Sequence, residues 1–169
     1  DEAARRFDAI AVDESSVWRA FAPYLAARSL VRKASLSAPE NKSEPLAQAE
    51  TRLNKILSDQ KFASAHAASG RLLDLVRLRL HPSERLLELA KKLRAERDIP
   101  SLKQDLWDYT TLLDGFLETS QEEKKNFETK VRSDDLTDWI YTIQSSSPKA
   151  LDHSFAQNRA TDSPAWLIA

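Results

Sequence analysis

The densest group of residues that could do chemistry is acidic: Asp134, Asp135 and Asp138 stand close together in DDLTD. Clustered carboxylates can bind a cation, and a pair of them can act as general acid and base. The same residues suit a helix N-terminus, because a carboxylate accepts free backbone N–H groups and compensates the helix dipole. We favour the capping interpretation, which predicts that a helix begins at Asp134 or Asp135.

A second carboxylate pair, Asp105 and Asp108, lies about one helical turn apart beside Trp107 and Tyr109. Two carboxylates that flank a glycosidic bond are the usual device for its hydrolysis, and aromatic rings commonly border such clefts. Carboxylate pairs are also common on solvated helix faces. A helical, hydrolase-like domain acting on glycans is therefore kept as an alternative function.

The three histidines, His66, His81 and His153, do not stand at the spacing of any known metal-binding motif. His81 precedes a proline and is predicted to end a helix. The only glycines, Gly70 and Gly115, are too far apart to form a phosphate-binding loop. The sequence therefore assigns no catalytic residue, no metal ligand and no cofactor.

Arginines and aromatic residues are the best candidates for contact with a partner. Arginine pairs on two predicted helices could bind an acidic partner, although such residues more often form a solvated helix face. Two aromatic residues lie off the main apolar stripes of their helices, so they could anchor an interface or pack against a neighbouring helical hairpin. This candidate interaction surface consists of Arg28, Arg32, Arg77, Arg79, Trp107 and Tyr141.

The bulk composition is that of a folded globular chain. Of 169 residues, 41% are hydrophobic and 30% are charged, with a net charge of −1. Because there is no excess of positive charge, we expect no nucleic-acid partner. No apolar run approaches the roughly 20 residues of a membrane span. The absence of cysteine excludes disulfides and thiolate metal sites.

The two ends of the chain suggest a piece of a longer protein. The sequence begins with Asp1 and has no methionine, as after removal of a leader. It ends in SPAWLIA, where Ser163 and Pro164 have the features of a helix start that continues past Ala169. The missing methionine and cysteine also lead us to expect an exported or periplasmic bacterial protein.

Apolar residues recur at helical spacing, which predicts an all-α fold of seven or eight helices. The clearest stripe is Leu136, Trp139, Ile140 and Ile143, which should face the core. A second stripe, on a helix opened by Ser43 or Glu44, comprises Leu46, Ala49, Leu53, Ile56 and Leu57. Short connections between such helices predict antiparallel hairpins, stacked as an irregular α-solenoid or closed as a helical bundle.

Pro23 interrupts a long helical pattern near the N-terminus. A proline inside a helix removes a hydrogen bond and clashes with the preceding turn. We therefore predict a short helix before Pro23 and a main helix over 23–36, with a continuous helix kinked at Pro23 as the alternative. Residues 1–169 are interpreted as a single domain, with candidate hairpin repeats over 1–97 and a less regular part over 98–169.

PYLAARSLVRKASL followed by LAQAETRLNKILSD resembles one helix pair of a tetratricopeptide-type repeat. Small residues allow close helix contact: Ala26, Ala27, Ala47 and Ala49. Bulky residues fill the space between the helices: Tyr24, Leu53 and Ile56. ASGRLLDLVRLRLHPSERLLELAKKL resembles a second pair. The 34-residue pattern of the family, with its Trp, Gly, Tyr and Pro, is not reproduced. The resemblance implies stacked helical hairpins and a surface that binds a peptide or protein.

These observations favour a non-catalytic protein- or peptide-binding module, because stacked hairpins offer an extended surface and no cluster of reactive groups is visible. The partner is expected to be a protein or peptide, and self-association into a homo-oligomer stays open. Besides the glycan hydrolase, the remaining alternative is a bundle that encloses a small apolar ligand.

Overall fold

The computed structural model describes residues 2–95, 99–118, 129–130 and 133–144. Within these ranges the chain forms α-helices and short 3₁₀ turns and contains no strand, which confirms the all-α class. The helices are α1 (Glu2–Val12), α2 (Ala22–Leu36), α3 (Ser43–Ser58), α4 (Ala63–Leu80), α5 (Pro82–Ala95), α6 (Ile99–Leu117) and α7 (Asp135–Gln144).

Contacts divide the chain into two compact units, Asp1–His81 and Pro82–Ala169. The division falls at the helix end that His81 was predicted to mark, whereas the sequence suggested a change in regularity near residue 97. Pro82 is the first residue of α5, where its missing N–H costs no helical hydrogen bond.

The first unit is built around α2, which contacts α1, α3 and α4. Its buried face is made mostly of alanines: Ala26, Ala27 and Ala34 are 1% exposed or less. Side chains this small let neighbouring helices approach closely, while Leu30 fills the space between them. The stripe predicted for α3 is confirmed, since its members are buried except for the partly buried Leu57.

Helix α1 was not predicted from the sequence. It contributes Ala4 and Phe7 to the core, and its Asp8 carboxylate accepts two hydrogen bonds from the Arg52 guanidinium of α3, at 2.5 and 2.9 Å. These hydrogen bonds raise the pKa of Arg52. The paired side chains hold α1 against α3 in addition to its packing on α2.

The short helix predicted before Pro23 is wrong. Residues 14–21 form consecutive turns, closed by bonds such as Arg19 N–H to the Ser16 carbonyl and Phe21 N–H to the Trp18 carbonyl. Val17 and Trp18 are 90% and 62% exposed there, so no packing partner supports a helix. The main helix predicted over 23–36 is confirmed, with Pro23 in its first turn.

In the second unit, α5 packs against α6 and α7. Its core comprises Leu86, Leu89, Ala90, Tyr109, Leu112, Leu113, Thr137 and Tyr141. Arg85 is also buried in this unit, and its Nη1 donates a hydrogen bond to Glu88 at 3.0 Å.

The prediction that the apolar stripe of α7 faces the core is wrong. Ile143 is 48% exposed, and Leu136, Trp139 and Ile140 are only partly buried. The buried face instead carries Asp134, Thr137, Asp138 and Tyr141, which also follow helical spacing. Polar contacts orient the helix, because Asp134 and Thr137 bind side chains of α5 and α6.

Among the described helices, none combines the length and the apolarity that crossing a membrane requires. This agrees with the expectation from the sequence. The predicted helix start at Ser163 and Pro164 and the residue His153 lie outside the described residues.

We expect Leu53→Ala to lower the free energy of unfolding by about 2–5 kcal/mol, because Leu53 is fully buried and its truncation leaves a cavity. The measurement is urea denaturation followed by circular dichroism. Leu36→Ala, at a site 77% exposed, is the control and should change stability by less than about 0.5 kcal/mol. Equal effects of the two substitutions would contradict the assigned core.

Candidate interaction groove

An open groove of about 710 Å³ lies on the first unit, between α1, α2 and α4. Its volume falls within the range of about 300–1,000 Å³ that is usual for ligand sites. We call it the arginine-edged groove. The described residues that line it are Ala3, Phe7, Leu25, Arg28, Ser29, Val31, Arg32, Ser35, Leu36, Leu72, Leu75 and Arg79.

The groove exists because α2 is apolar on two faces. One face carries the alanines and Leu30 into the core. The other carries Leu25 and Leu36 with arginines between them, at the three- and four-residue spacing that places side chains on one side of a helix. Helix α4 repeats this pattern with Leu72, Leu75 and Arg79. The two faces therefore form facing walls rather than closing on each other.

Apolar side chains remain open to solvent in this groove. Leu36 is 77% exposed and Leu75 is 38% exposed, while Phe7, Leu25 and Leu72 are partly buried. A continuous apolar surface bordered by polar groups is typical of sites that bind a partner.

Positive charge lines the edge of the groove. Arg28 and Arg32 stand one turn apart on α2, and both are exposed. Across the groove, Nη1 of Arg79 donates a hydrogen bond to Oγ of Ser35 at 3.0 Å. Among the described residues, no carboxylate forms an ion pair with these three arginines, and no lining residue is acidic.

The arrangement suits recognition of apolar groups that carry carboxylates. A guanidinium binds a carboxylate through two parallel hydrogen bonds, and its aliphatic stem extends the apolar surface beside it. The groove can therefore desolvate apolar side chains on its walls while its edge binds negative charge.

The other three members of the predicted surface lie elsewhere. Arg77 faces α3, where its Nε is 3.5 Å from the Glu50 carboxylate. Trp107 is 69% exposed on α6 in the second unit. Tyr141 is 4% exposed, so it packs in the core rather than serving as a surface anchor. The alternative considered for Tyr141, burial against neighbouring helices, is the one observed.

The acidic group at α7 acts as a helix cap. Oδ1 of Asp134 accepts hydrogen bonds from the Thr137 N–H at 3.1 Å and the Thr137 hydroxyl at 3.0 Å. Arg94 of α5 pairs with Asp134 at 2.6 Å and with Asp135. The predicted capping role is confirmed, and one arginine pairs with two of the three aspartates.

The two carboxylates proposed to cleave glycans have separate hydrogen-bond partners. Asp105 is 5% exposed and accepts a hydrogen bond from Lys92 Nζ at 2.8 Å. Asp108 accepts one from the Gln104 amide at 2.8 Å. Each carboxylate is thus bound to its own neighbour.

The described histidines make single contacts to oxygen atoms. His66 Nε2 lies 3.1 Å from the Asp59 carbonyl, and His81 Nε2 lies 3.0 Å from the Glu50 carboxylate. Within the described part of the chain, no group of three or more His, Asp or Glu side chains has the arrangement to hold a metal ion.

Sequence reasoning missed the contribution of α1 to the groove. Ala3 and Phe7 line it, one turn apart on a helix that the sequence analysis did not assign. Phe7, Ile10 and Ala11 at helical spacing are the signal that could have found this helix.

We expect Asp134→Ala to lower the free energy of unfolding by about 1–3 kcal/mol, because it removes the cap of α7 and leaves Arg94 with one carboxylate fewer. Asp134→Asn keeps the capping acceptor and should cost less. Hydrogen exchange of the α7 amides measures the local effect. Asp114→Ala, at an exposed position of α6, is the control; if it speeds exchange equally, the cap is not what holds α7.

Ionisation of the Tyr109 phenol should lower the free energy of unfolding at high pH. Burial raises the pKa of Tyr109 to about 12, and its hydroxyl donates a hydrogen bond to Thr137 at 3.1 Å. Because the phenol ionises more easily when the chain is unfolded, its contribution is present below pH ~10 and is lost as the pH rises toward ~12. Absorbance titration of the phenolates should show a late-titrating component that loses one tyrosine's amplitude in Tyr109→Phe. A late component of unchanged amplitude in this variant would contradict the assignment.

Comparison with known proteins found no matching family, no matching curated protein and no matching solved structure. The likeness to tetratricopeptide repeats thus remains a resemblance carried by residues of α2 and α3 and of α4 and α5. A function for this chain is therefore inferred from the geometry of the groove rather than from descent.

Proposed function

We propose that the chain is a non-catalytic module that binds a protein or peptide segment in the arginine-edged groove. The observation that carries this proposal is the open groove of about 710 Å³, where solvent-exposed leucines lie beside arginines on two facing helices. Burying such leucines against a partner is favourable by roughly 25 cal/mol per Å² of apolar surface.

Three of the four predicted arginines support the proposal by their position. Arg28 and Arg32 of α2 and Arg79 of α4 line the same groove. An arginine can bind a partner at low cost when no carboxylate of its own chain must first be displaced. Arg77, which faces Glu50, is not part of the proposed site.

The solenoid interpretation belongs to the same proposal. In a tetratricopeptide-like stack, each hairpin packs on its neighbours and leaves a concave face open. The contacts of α2 with α3 and α4, together with its open second face, are compatible with this arrangement. Compact packing of α1 through α4 as a bundle is equally compatible with these contacts.

An unbiased peptide selection tests the proposal. Peptides from a random displayed library are selected on the immobilised full chain, and their affinities are measured by fluorescence anisotropy. We expect Leu36→Gln with Leu75→Gln to weaken the selected binders about tenfold or more, because both side chains would be buried on binding.

The matched control replaces two leucine-like side chains on the second unit. Leu106 and Ile143 are 49% and 48% exposed, and Leu106→Gln with Ile143→Gln should leave binding unchanged. If no peptide is selected, or if the control pair weakens the binders as much as the groove pair, the proposed function is wrong.

A further inference from the structure

We infer that the segment bound by the arginine-edged groove is an amphipathic α-helix, whose apolar stripe is flanked by carboxylates one turn apart. This inference rests on the proposed function and specifies the partner. Three features of the groove lead to this inference: its length, the internal hydrogen bonding of its helical walls, and the spacing and sign of its charges.

The groove is long and open enough for a helix. Along α2 it runs from Leu25 to Leu36, about 16 Å at a rise of about 1.5 Å per residue. Leu72 to Arg79 on the opposite wall covers about 10 Å. Three apolar side chains in successive turns of a partner helix span a similar length, whereas a small ligand would fill only part of it.

The backbone of the groove favours a helix over an extended peptide. All three walls are helices, whose N–H and C=O groups bond within their own helix. An extended peptide bound there would have no strand edge to pair with, so its buried backbone groups would lose hydrogen bonds to water without replacement. A helical peptide satisfies its own backbone and presents only side chains to the walls.

Charge complementarity defines the sides of the partner helix. Arg28 and Arg32 lie one turn apart, and the Cβ atoms of residues at this spacing are about 6 Å apart. Glu or Asp residues one turn apart on an opposing helix have the same separation. Arg79 presents a third guanidinium from the other wall. Because no described lining residue is acidic, lysines on the partner would find no counter-charge and would be repelled.

The test uses a displayed library of 18-residue peptides with a fixed leucine stripe. The flanking positions, one turn apart, vary among Glu, Gln and Lys, and one subset carries a central proline that breaks the helix. Selection on the full chain should enrich Glu pairs at least about fivefold over Gln pairs, and should deplete the proline subset. Selected peptides should gain helical circular dichroism on binding.

Two variants of the chain check which charges are responsible. The preference for Glu pairs should disappear with Arg28→Gln and Arg32→Gln, and should turn to Lys pairs with Arg28→Glu and Arg32→Glu. The control is Lys55→Glu with Lys61→Glu, exposed cations outside the groove that change the net charge equally. The control should keep the preference for Glu.

The outcomes of the two selections show whether this inference fails alone or together with the proposed function. Groove binders that show no charge preference, or prefer Lys, overturn the acidic partner. Binders in the proline subset that match the others overturn the helix. If the random library yields groove binders while the helical library yields none, only this inference fails. If neither library yields a binder, both fail.

Discussion

Close approach of helices to α2 is the constraint on which the first unit depends. Alanines fill the core face of this helix, and Ala26 and Ala27 are fully buried there. A larger side chain at either position would push α1, α3 or α4 outward, since a packed core has no space to absorb it. The bulky residues of α2 that face away from this core therefore become the walls of the groove.

In the second unit, ion pairs join α5 to the helices that pack against it. Lys92 and Arg94 near the end of α5 bind Asp105 of α6 and Asp134 of α7, at 2.8 and 2.6 Å. Cations also suit this end of α5, where the backbone carbonyls carry partial negative charge. Each aspartate is nearly buried, so loss of its cation would leave an uncompensated charge in the core.

The arginines of this chain have two kinds of environment. Arg94 is bound to carboxylates of its own chain, and it fixes the orientation of α7. Arg28 and Arg32 extend from α2, and neither forms an ion pair with a carboxylate among the described residues. Whether an arginine of this chain forms an internal ion pair thus depends on whether the fold brings a carboxylate to it.

Helix identity and most helix ends follow from local sequence, because apolar spacing, capping residues and prolines act within a few positions of themselves. The α3 stripe, the start of α5 at Pro82 and the Asp134 cap were predictable for this reason.

Which face of each helix is buried was harder to predict. Leu136, Trp139, Ile140 and Ile143 are the more apolar side of α7, yet Thr137 and Tyr141 are buried, since hydrogen bonds and ion pairs from distant residues orient the helix. Likewise, Arg28, Arg32 and Arg79 could be named as candidates from sequence, but their convergence, and the separation of Arg77, depend on how α2 and α4 pack. That packing joins residues more than 40 positions apart, a relation no local pattern contains.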